Sequence, residues 1–229
     1  MDIRIYDSND KLNHDKNSRE HLLQFGKPFS ALIIGCSNCG KTNLIKNIID
    51  QNDFKIVYLM HGDPESLDYD DIPHIKYEIG EDYIDRFREF SEIPKCLIID
   101  DIDFRNLSKT SQNWFYKMVT YTRTHCNLSI LSSCQDAIYY PPILRRTFPI
   151  IIVYKYIELD PLKKTQAFNV ISKKALQYAL SSLTKTDFDF IIINNKTKRS
   201  WISINNKLQL LSDNSMAGYY DIDEDDDNE

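Results

Sequence analysis

Short runs of apolar residues alternate along the chain with longer segments whose apolar residues recur at helical spacing. The apolar runs cover Ser30–Ile34, Lys55–Met60, Cys96–Ile99, Leu128–Ser132 and Phe148–Tyr154. Helical spacing is found in Lys41–Asp50, Tyr83–Phe90, Leu107–His125 and Ser172–Ser182. Strands separated by helix-length segments indicate βαβ crossovers and a mostly parallel sheet. The pattern therefore predicts an α/β fold with helices flanking a central sheet.

The end of the chain has a different pattern. Two β-rich runs, FDFIIIN and SWISIN, follow Asp187 and are divided by Asn-Lys-Thr-Lys-Arg, which predicts a β-hairpin over about 188–205. Neither an internal repeat nor a clear linker divides the sequence. We therefore expect an N-terminal extension over 1–27, one domain over 28–210 and an acidic, disordered tail over 211–229.

Acidic and basic residues are segregated along the sequence. The 229 residues include 28 Lys and Arg against 34 Asp and Glu, a net charge of −6, but seven of the acids lie in the last nine residues, DIDEDDDNE. The rest of the chain is nearly neutral. Residues 141–210 carry 12 basic against four acidic residues, whereas residues 50–104 carry five against 16. A basic last third of the domain can contact phosphates without reading bases.

The sequence also disfavours several classes of protein. It has no run of 18 apolar residues and no apolar region near its start, so we expect neither a membrane segment nor export by a signal peptide. Five cysteines, an odd number, are typical of reduced thiols. Cys36 and Cys39 form a C-x-x-C pair without a second pair, which argues against a zinc or redox site.

The strongest motif lies between the first predicted strand and the first predicted helix. GCSNCGKT satisfies the pattern G-x-x-x-x-G-K-[ST], known as Walker A. Backbone N–H groups of such a loop surround a polyphosphate, Lys41 reaches the β- and γ-phosphates, and Thr42 ligates Mg²⁺. The residues predicted to bind the nucleotide are Gly35, Cys36, Ser37, Asn38, Cys39, Gly40, Lys41, Thr42 and Asn43. The motif predicts binding of ATP with Mg²⁺.

Two further predicted strands end in polar residues. KCLIIDD ends in Asp100, which we expect to hold Mg²⁺ through water, and Asp101, which could polarise an attacking water. The strand Leu128–Ser132 leads to Gln135, which could sense the γ-phosphate. Open α/β sheets bind ligands at the carboxyl ends of their strands, so these residues are predicted to share one site.

With these residues in place, the sequence resembles the FtsK/HerA superfamily of P-loop ATPases, and within it the genome-packaging ATPases of poxviruses, other large DNA viruses and virophages. The resemblance covers about residues 28–156. It rests on GCSNCGKT, CLIIDD, YTRTHCNLSILSSCQ and PPILRRTFPIIIVYK. Family members have an Arg before the fourth strand, a Gln at its end and a Pro-x-x-Leu/Ile-Arg segment after it. These features fall on Arg123, Gln135 and Pro142–Arg145.

The resemblance implies a RecA-like sheet in which the strand before Gln135 inserts between the phosphate-loop strand and the Asp100 strand. It also implies a homo-oligomeric ring, a pentamer or hexamer, in which an Arg of one subunit completes its neighbour's site. Arg123, Arg145 and Arg146 are the candidates. Asp101 stands where many members have Glu, and Arg123-Thr124-His125 replaces the commoner Gly-Arg-His.

The function implied is an ATP-hydrolysing motor that translocates double-stranded DNA without sequence specificity and packages a viral genome. Capsid proteins are possible partners, and the location would be the cytoplasm of an infected cell or the virion. Lys196, Lys198 and Arg199, near Trp201, form the best basic patch for DNA, although they also suit a solvated hairpin tip. A nucleoside or nucleotide kinase, and an ATP-binding assembly switch with little turnover, are the alternatives.

Overall fold

A computed structural model describes most of the predicted domain. The described residues are 23, 25–77, 87–154, 159–162, 165, 167–183, 189–204 and 207–211. The predicted extension over 1–27 lies outside them apart from 23 and 25–27, and the predicted acidic tail lies outside them beyond Leu211. The predicted helix Tyr83–Phe90 lies outside them up to residue 86.

In the described part of the chain, nine strands form a single sheet. They are β1 Ser30–Ile34, β2 Ile56–His61, β3 Ile75–Lys76, β4 Lys95–Asp100, β5 Leu128–Cys134, β6 Ile150–Tyr154, β7 Phe190–Asn194, β8 Arg199–Ile204 and β9 Lys207–Leu211. Their order is β3-β2-β4-β5-β1-β6-β7-β8-β9. The first six strands pair in parallel, and β7, β8 and β9 add to the sheet in antiparallel fashion.

The central strands of the sheet have the order that the family resemblance implies. β5 lies between β1 and β4, with Ile33 opposite Ser133 and Ile98 opposite Leu131. All seven residues of β5 are buried. A central parallel strand is covered on both faces, which explains why its apolar residues run almost without interruption. The strand that leads to Gln135 is therefore inserted as the resemblance implies.

Besides the three-residue helix Arg123–His125, five α-helices connect the strands in the described part of the chain. They are α1 Lys41–Asn52, α2 Lys109–Lys117, α3 Pro142–Arg145, α4 Leu159–Leu162 and α5 Lys173–Ser182. Ser108 and Ser172 cap the N-termini of α2 and α5. Each hydroxyl accepts a hydrogen bond of 3.1 Å from the backbone N–H of the residue three positions later, Ser111 or Ala175. After α2 the chain continues through a π-helical turn to His125, so one helical path follows most of the predicted Leu107–His125 helix.

Apolar side chains cover both faces of the sheet. Leu32 and Ile34 of β1 pack on one face, whereas Ala31 and Ile33 pack on the other, as the two-residue period of a strand requires. Side chains of α2 and α5 complete the first core, and those of α1 complete the second. The predicted α/β fold, a mostly parallel sheet with flanking helices and a C-terminal hairpin, is confirmed.

Within the described residues, no helix combines the length and the apolar character that spanning a bilayer requires.

Candidate nucleotide and metal site

Three chain segments meet at the carboxyl edge of the parallel strands. β1 leads into the glycine-containing loop, β4 ends at Asp100, and β5 leads to Gln135. Because β5 lies between β1 and β4, the loop and both polar strand ends are neighbours. The Gly35 amide donates to the Cys134 carbonyl over 3.1 Å and ties the loop to the end of β5. The topology thus brings the predicted loop, Asp100, Asp101 and Gln135 to one edge.

The loop 35–40 begins α1 in a conformation suited to anions. Gly40 precedes the helix with φ 93°, a left-handed conformation that favours glycine. No side chain caps the first turn, so its N–H groups point toward the loop. The Lys41 Nζ atom donates to the carbonyls of Gly35 at 2.9 Å and Cys36 at 2.7 Å. Its ammonium group therefore lies across the loop, where it can meet a phosphate.

Asp100 is buried, and hydrogen bonds fix its side chain. The residue is 4% exposed. Its Oδ2 atom accepts a hydrogen bond of 2.6 Å from the Tyr69 hydroxyl, and its Oδ1 atom accepts one from the Ser133 hydroxyl. The His61 Nε2 atom lies 4.0 Å from Oδ2. Two hydroxyl donors fix the orientation of this carboxylate while leaving lone pairs for further donors.

Tyr69 belongs to the segment 62–74, which connects β2 to β3 and folds back over the site. The buried Lys46 side chain on α1 forms an ion pair of 2.8 Å with Asp71, two residues after Tyr69. Burial and the Asp100 charge raise the pKa of Tyr69 well above its ordinary value. The phenol therefore keeps its proton and can donate it to Asp100.

Asp101 turns away from the strand that carries Asp100. Its φ of 56° is left-handed, and the residue is exposed. Gly62 approaches this turn closely: its amide donates to the Asp100 carbonyl over 2.9 Å, and a Cβ atom at Gly62 would lie 2.2 Å from the Asp101 carbonyl oxygen. Gly62 therefore allows the ends of β2 and β4 to come together. Gln135 is exposed at the same edge.

The three candidate arginines are placed differently. The Arg123 Nη1 atom donates to the Ser30 hydroxyl at 2.9 Å and the Thr147 carbonyl at 3.2 Å. Ser30 begins β1, so Arg123 lies at the opposite edge of the sheet from its own subunit's phosphate loop. Arg145 is 4% exposed, whereas Arg146 is exposed. A finger that enters a neighbouring subunit needs an exposed guanidinium, so the structure favours Arg146 over Arg145 for that role.

Sequence reasoning missed three residues that contact or approach Asp100. His61 and Ser133 lie at the carboxyl ends of β2 and β5, so their positions beside β4 could have been predicted from strand order. Tyr69 lies in a segment that the sequence marks only as acidic and rich in loops. Its position depends on tertiary contacts with α1 and β4, for which the sequence offers no signal.

The donor atoms suit Mg²⁺. This ion prefers oxygen ligands, and Thr42 at the start of α1 and Asp100 at the end of β4 supply a hydroxyl and a carboxylate at the same edge of the sheet. Thr42 would ligate the ion directly and Asp100 through water. A bound Mg²⁺ would neutralise charge on the phosphates that reach Lys41.

The fold and this edge together define the class: the protein has the fold of a P-loop NTPase. No family model matches the sequence, and no curated protein matches it. Among solved structures, the DNA-packaging ATPase B204 of Sulfolobus turreted icosahedral virus is similar, with 16% identity, a TM-score of 0.57, and coverage of 78% of this chain and 98% of that one.

The genome-packaging NTPase B204 of Sulfolobus turreted icosahedral virus 2 is similar as well. Its complex with AMPPCP is 15% identical with a TM-score of 0.54, and its complex with ATP-γS is 14% identical with a TM-score of 0.55. Each covers 78% of this chain and 98% of its own. At these identities the likeness shows the fold. The fold that the resemblance to viral packaging ATPases implies is confirmed.

Proposed function

We propose that this protein is a Mg²⁺-dependent ATPase that hydrolyses ATP to ADP and phosphate. The observation that carries the proposal is the phosphate loop with Lys41 across it, beside a buried carboxylate at the end of β4. The similar B204 protein forms complexes with AMPPCP and ATP-γS, which supports a nucleotide ligand.

Each residue of the edge has a role in this proposal. Lys41 neutralises the β- and γ-phosphates, and Thr42 and Asp100 hold Mg²⁺. Exposed Asp101 accepts a proton from the attacking water, and exposed Gln135 orients that water beside the γ-phosphate. Little covalent chemistry is required of the protein, since positioning and electrostatic stabilisation dominate phosphoryl transfer.

The work that hydrolysis drives is translocation of double-stranded DNA, most specifically packaging of a viral genome into a capsid. The likeness to B204, described as a DNA-packaging ATPase, supports this, together with the basic last third of the domain. We propose a homo-oligomeric ring of five or six subunits that docks on capsid proteins in an infected cell. An exposed arginine such as Arg146 would complete the site of the neighbouring subunit.

The test is phosphate release measured with and without long duplex DNA, in the presence and absence of Mg²⁺. We expect Mg²⁺-dependent hydrolysis that DNA stimulates. Lys41→Ala and Asp100→Ala should each lower the rate on the order of 10²-fold or more, because each removes charge stabilisation in the transition state. Lys55→Ala is the matched control, since this exposed lysine pairs with Asp53 at the start of β2, away from the loop.

The remaining outcomes contradict the proposal in different ways. Phosphate transfer to a nucleoside or nucleotide in place of water would identify a kinase. Tight ATP binding without turnover, with or without DNA, would identify an assembly switch. Hydrolysis that persists in Lys41→Ala would place the active site elsewhere.

A further inference from the structure

The Tyr69 hydroxyl contacts Asp100, one of the two residues expected to hold Mg²⁺. It donates a hydrogen bond of 2.6 Å to Asp100 Oδ2. Tyr69 is 1% exposed. Its neighbour Asp71 is anchored to Lys46, and the Lys46 ammonium lies 6.0 Å from the centre of the Tyr69 ring. The hydroxyl is therefore held in this place by contacts with α1.

Two hydroxyl groups hold the Asp100 carboxylate, one on each oxygen. A phenol has one proton, and Tyr69 uses it in the hydrogen bond to Asp100 Oδ2. The Ser133 hydroxyl donates to Oδ1. The two donors together set the plane of the carboxylate and leave lone pairs on both oxygens for the water around a metal ion.

We propose that Tyr69 is a positioning residue of the magnesium site, which fixes the Asp100 carboxylate in the orientation that the hydrated ion requires. This inference rests on the proposed ATPase function. Through Tyr69, the segment 62–74 becomes part of the metal site. The opposite relation would hold if the hydroxyl competed with Mg²⁺ for Asp100, in which case removing it would strengthen metal binding.

The experiment measures binding of Mn²⁺, as a paramagnetic substitute for Mg²⁺, to the full chain with ATP-γS. Free Mn²⁺ is followed by electron paramagnetic resonance. In Tyr69→Phe we expect the Kd of Mn²⁺ to rise about tenfold, the lower end of the effect of removing a group that orients metal ligands. The Kd of the nucleotide measured in EDTA should stay at the wild-type value.

Tyr140→Phe is the matched control. Tyr140 is also 1% exposed, and its hydroxyl bonds to the Ser132 side chain, so the substitution removes a comparable buried hydrogen bond. It should leave the Kd of Mn²⁺ unchanged. An unchanged or lower Kd in Tyr69→Phe would overturn the inference, the lower value indicating competition with the metal.

A double-mutant cycle tests whether Tyr69 acts through Asp100. In an Asp100→Asn background, Tyr69→Phe should weaken Mn²⁺ binding by much less than in the wild type, because the shared hydrogen bond is already altered. Additive effects would argue against this role. If the wild-type protein bound no nucleotide, the proposed function itself would fail. If the wild-type protein hydrolysed ATP and Tyr69→Phe left the Kd of Mn²⁺ unchanged, only this inference would be overturned.

Discussion

At the scale of single residues, Arg145 is the most unusual side chain of the structure. Its Nε and Nη1 atoms are buried without a hydrogen-bond partner among the described residues. Burial lowers the pKa of its guanidinium, and the Asp136 charge opposes this. An unsatisfied buried cation is costly, so this side chain should lower the stability of the fold. Such a cost is typical of a residue kept for function.

We therefore predict that Arg145→Met stabilises the protein. Methionine fills a similar volume without a charge, so the free energy of unfolding should rise by about 1–4 kcal/mol, the range seen when buried ionic groups are replaced by apolar ones. Urea denaturation followed by circular dichroism measures the change. ATP hydrolysis by the same variant should fall if Arg145 supplies the finger, and should stay at the wild-type rate if the exposed Arg146 supplies it. A loss of stability would show that the guanidinium has a compensating partner.

The residues of the site differ in how far the sequence could predict them. Asp100 and Gln135 follow apolar strands, and the edge of a parallel sheet is where such polar residues collect. Arg123 was predicted at the site, yet its side chain bonds to Ser30 and Thr147. The sequence does not show whether a charged residue near a motif belongs to the site, because its long side chain can extend toward either edge of the sheet.

At the scale of elements, the strand β5 shows why a strand predicted from its apolar residues can be too short. The apolar pattern predicts an end at Ser132, but the strand continues through Ser133 and Cys134, which pair with Ile33 and Ile34. Ser132 and Ser133 can be buried because their hydroxyls donate hydrogen bonds to the Ile99 carbonyl and to Asp100. Buried polar residues with such partners look like loop residues in sequence. β9, at the end of the sheet order, lies beyond the predicted hairpin.

The phosphate loop contains two cysteines that differ in reactivity. All five cysteines lie in the described part of the chain, and Cys36 alone is exposed. Burial raises the pKa of Cys39 to about 11 and also raises the pKa of Cys96 and Cys134. Thiolates are the nucleophiles in alkylation, so at pH 8 the buried cysteines should react slowly.

We predict that N-ethylmaleimide alkylates Cys36 first and thereby blocks nucleotide binding. The adduct would stand beside the Cys36 carbonyl, which accepts a hydrogen bond of 2.7 Å from Lys41. Peptide mass spectrometry locates the adduct, and fluorescence of a labelled ATP analogue measures binding. ATP should protect Cys36, and binding by Cys36→Ser should resist the reagent. Equal labelling with and without ATP would mean that the loop does not bind the nucleotide.

At the scale of the whole molecule, the candidate DNA patch and the phosphate loop lie at opposite edges of the sheet. Lys196, Lys198 and Arg199 are exposed at the turn between β7 and β8. Asn194, just before this turn, pairs with Ile150 at the start of β6, whereas the loop follows the end of β1. A five-residue strand spans about 15 Å, so DNA could bind at the turn without covering the nucleotide.

This separation predicts that loss of the turn's charges weakens DNA binding and leaves ATP binding intact. The triple substitution Lys196→Gln, Lys198→Gln and Arg199→Gln should reduce the slope of log K for duplex DNA against log salt by about 2 to 3, because each phosphate contact releases roughly one counterion. Fluorescence anisotropy across a salt series measures the slope. The same triple change at exposed Lys109, Lys117 and Lys173 removes equal charge from helices α2 and α5. If both variants reduced the slope equally, overall charge rather than the hairpin turn would govern DNA binding.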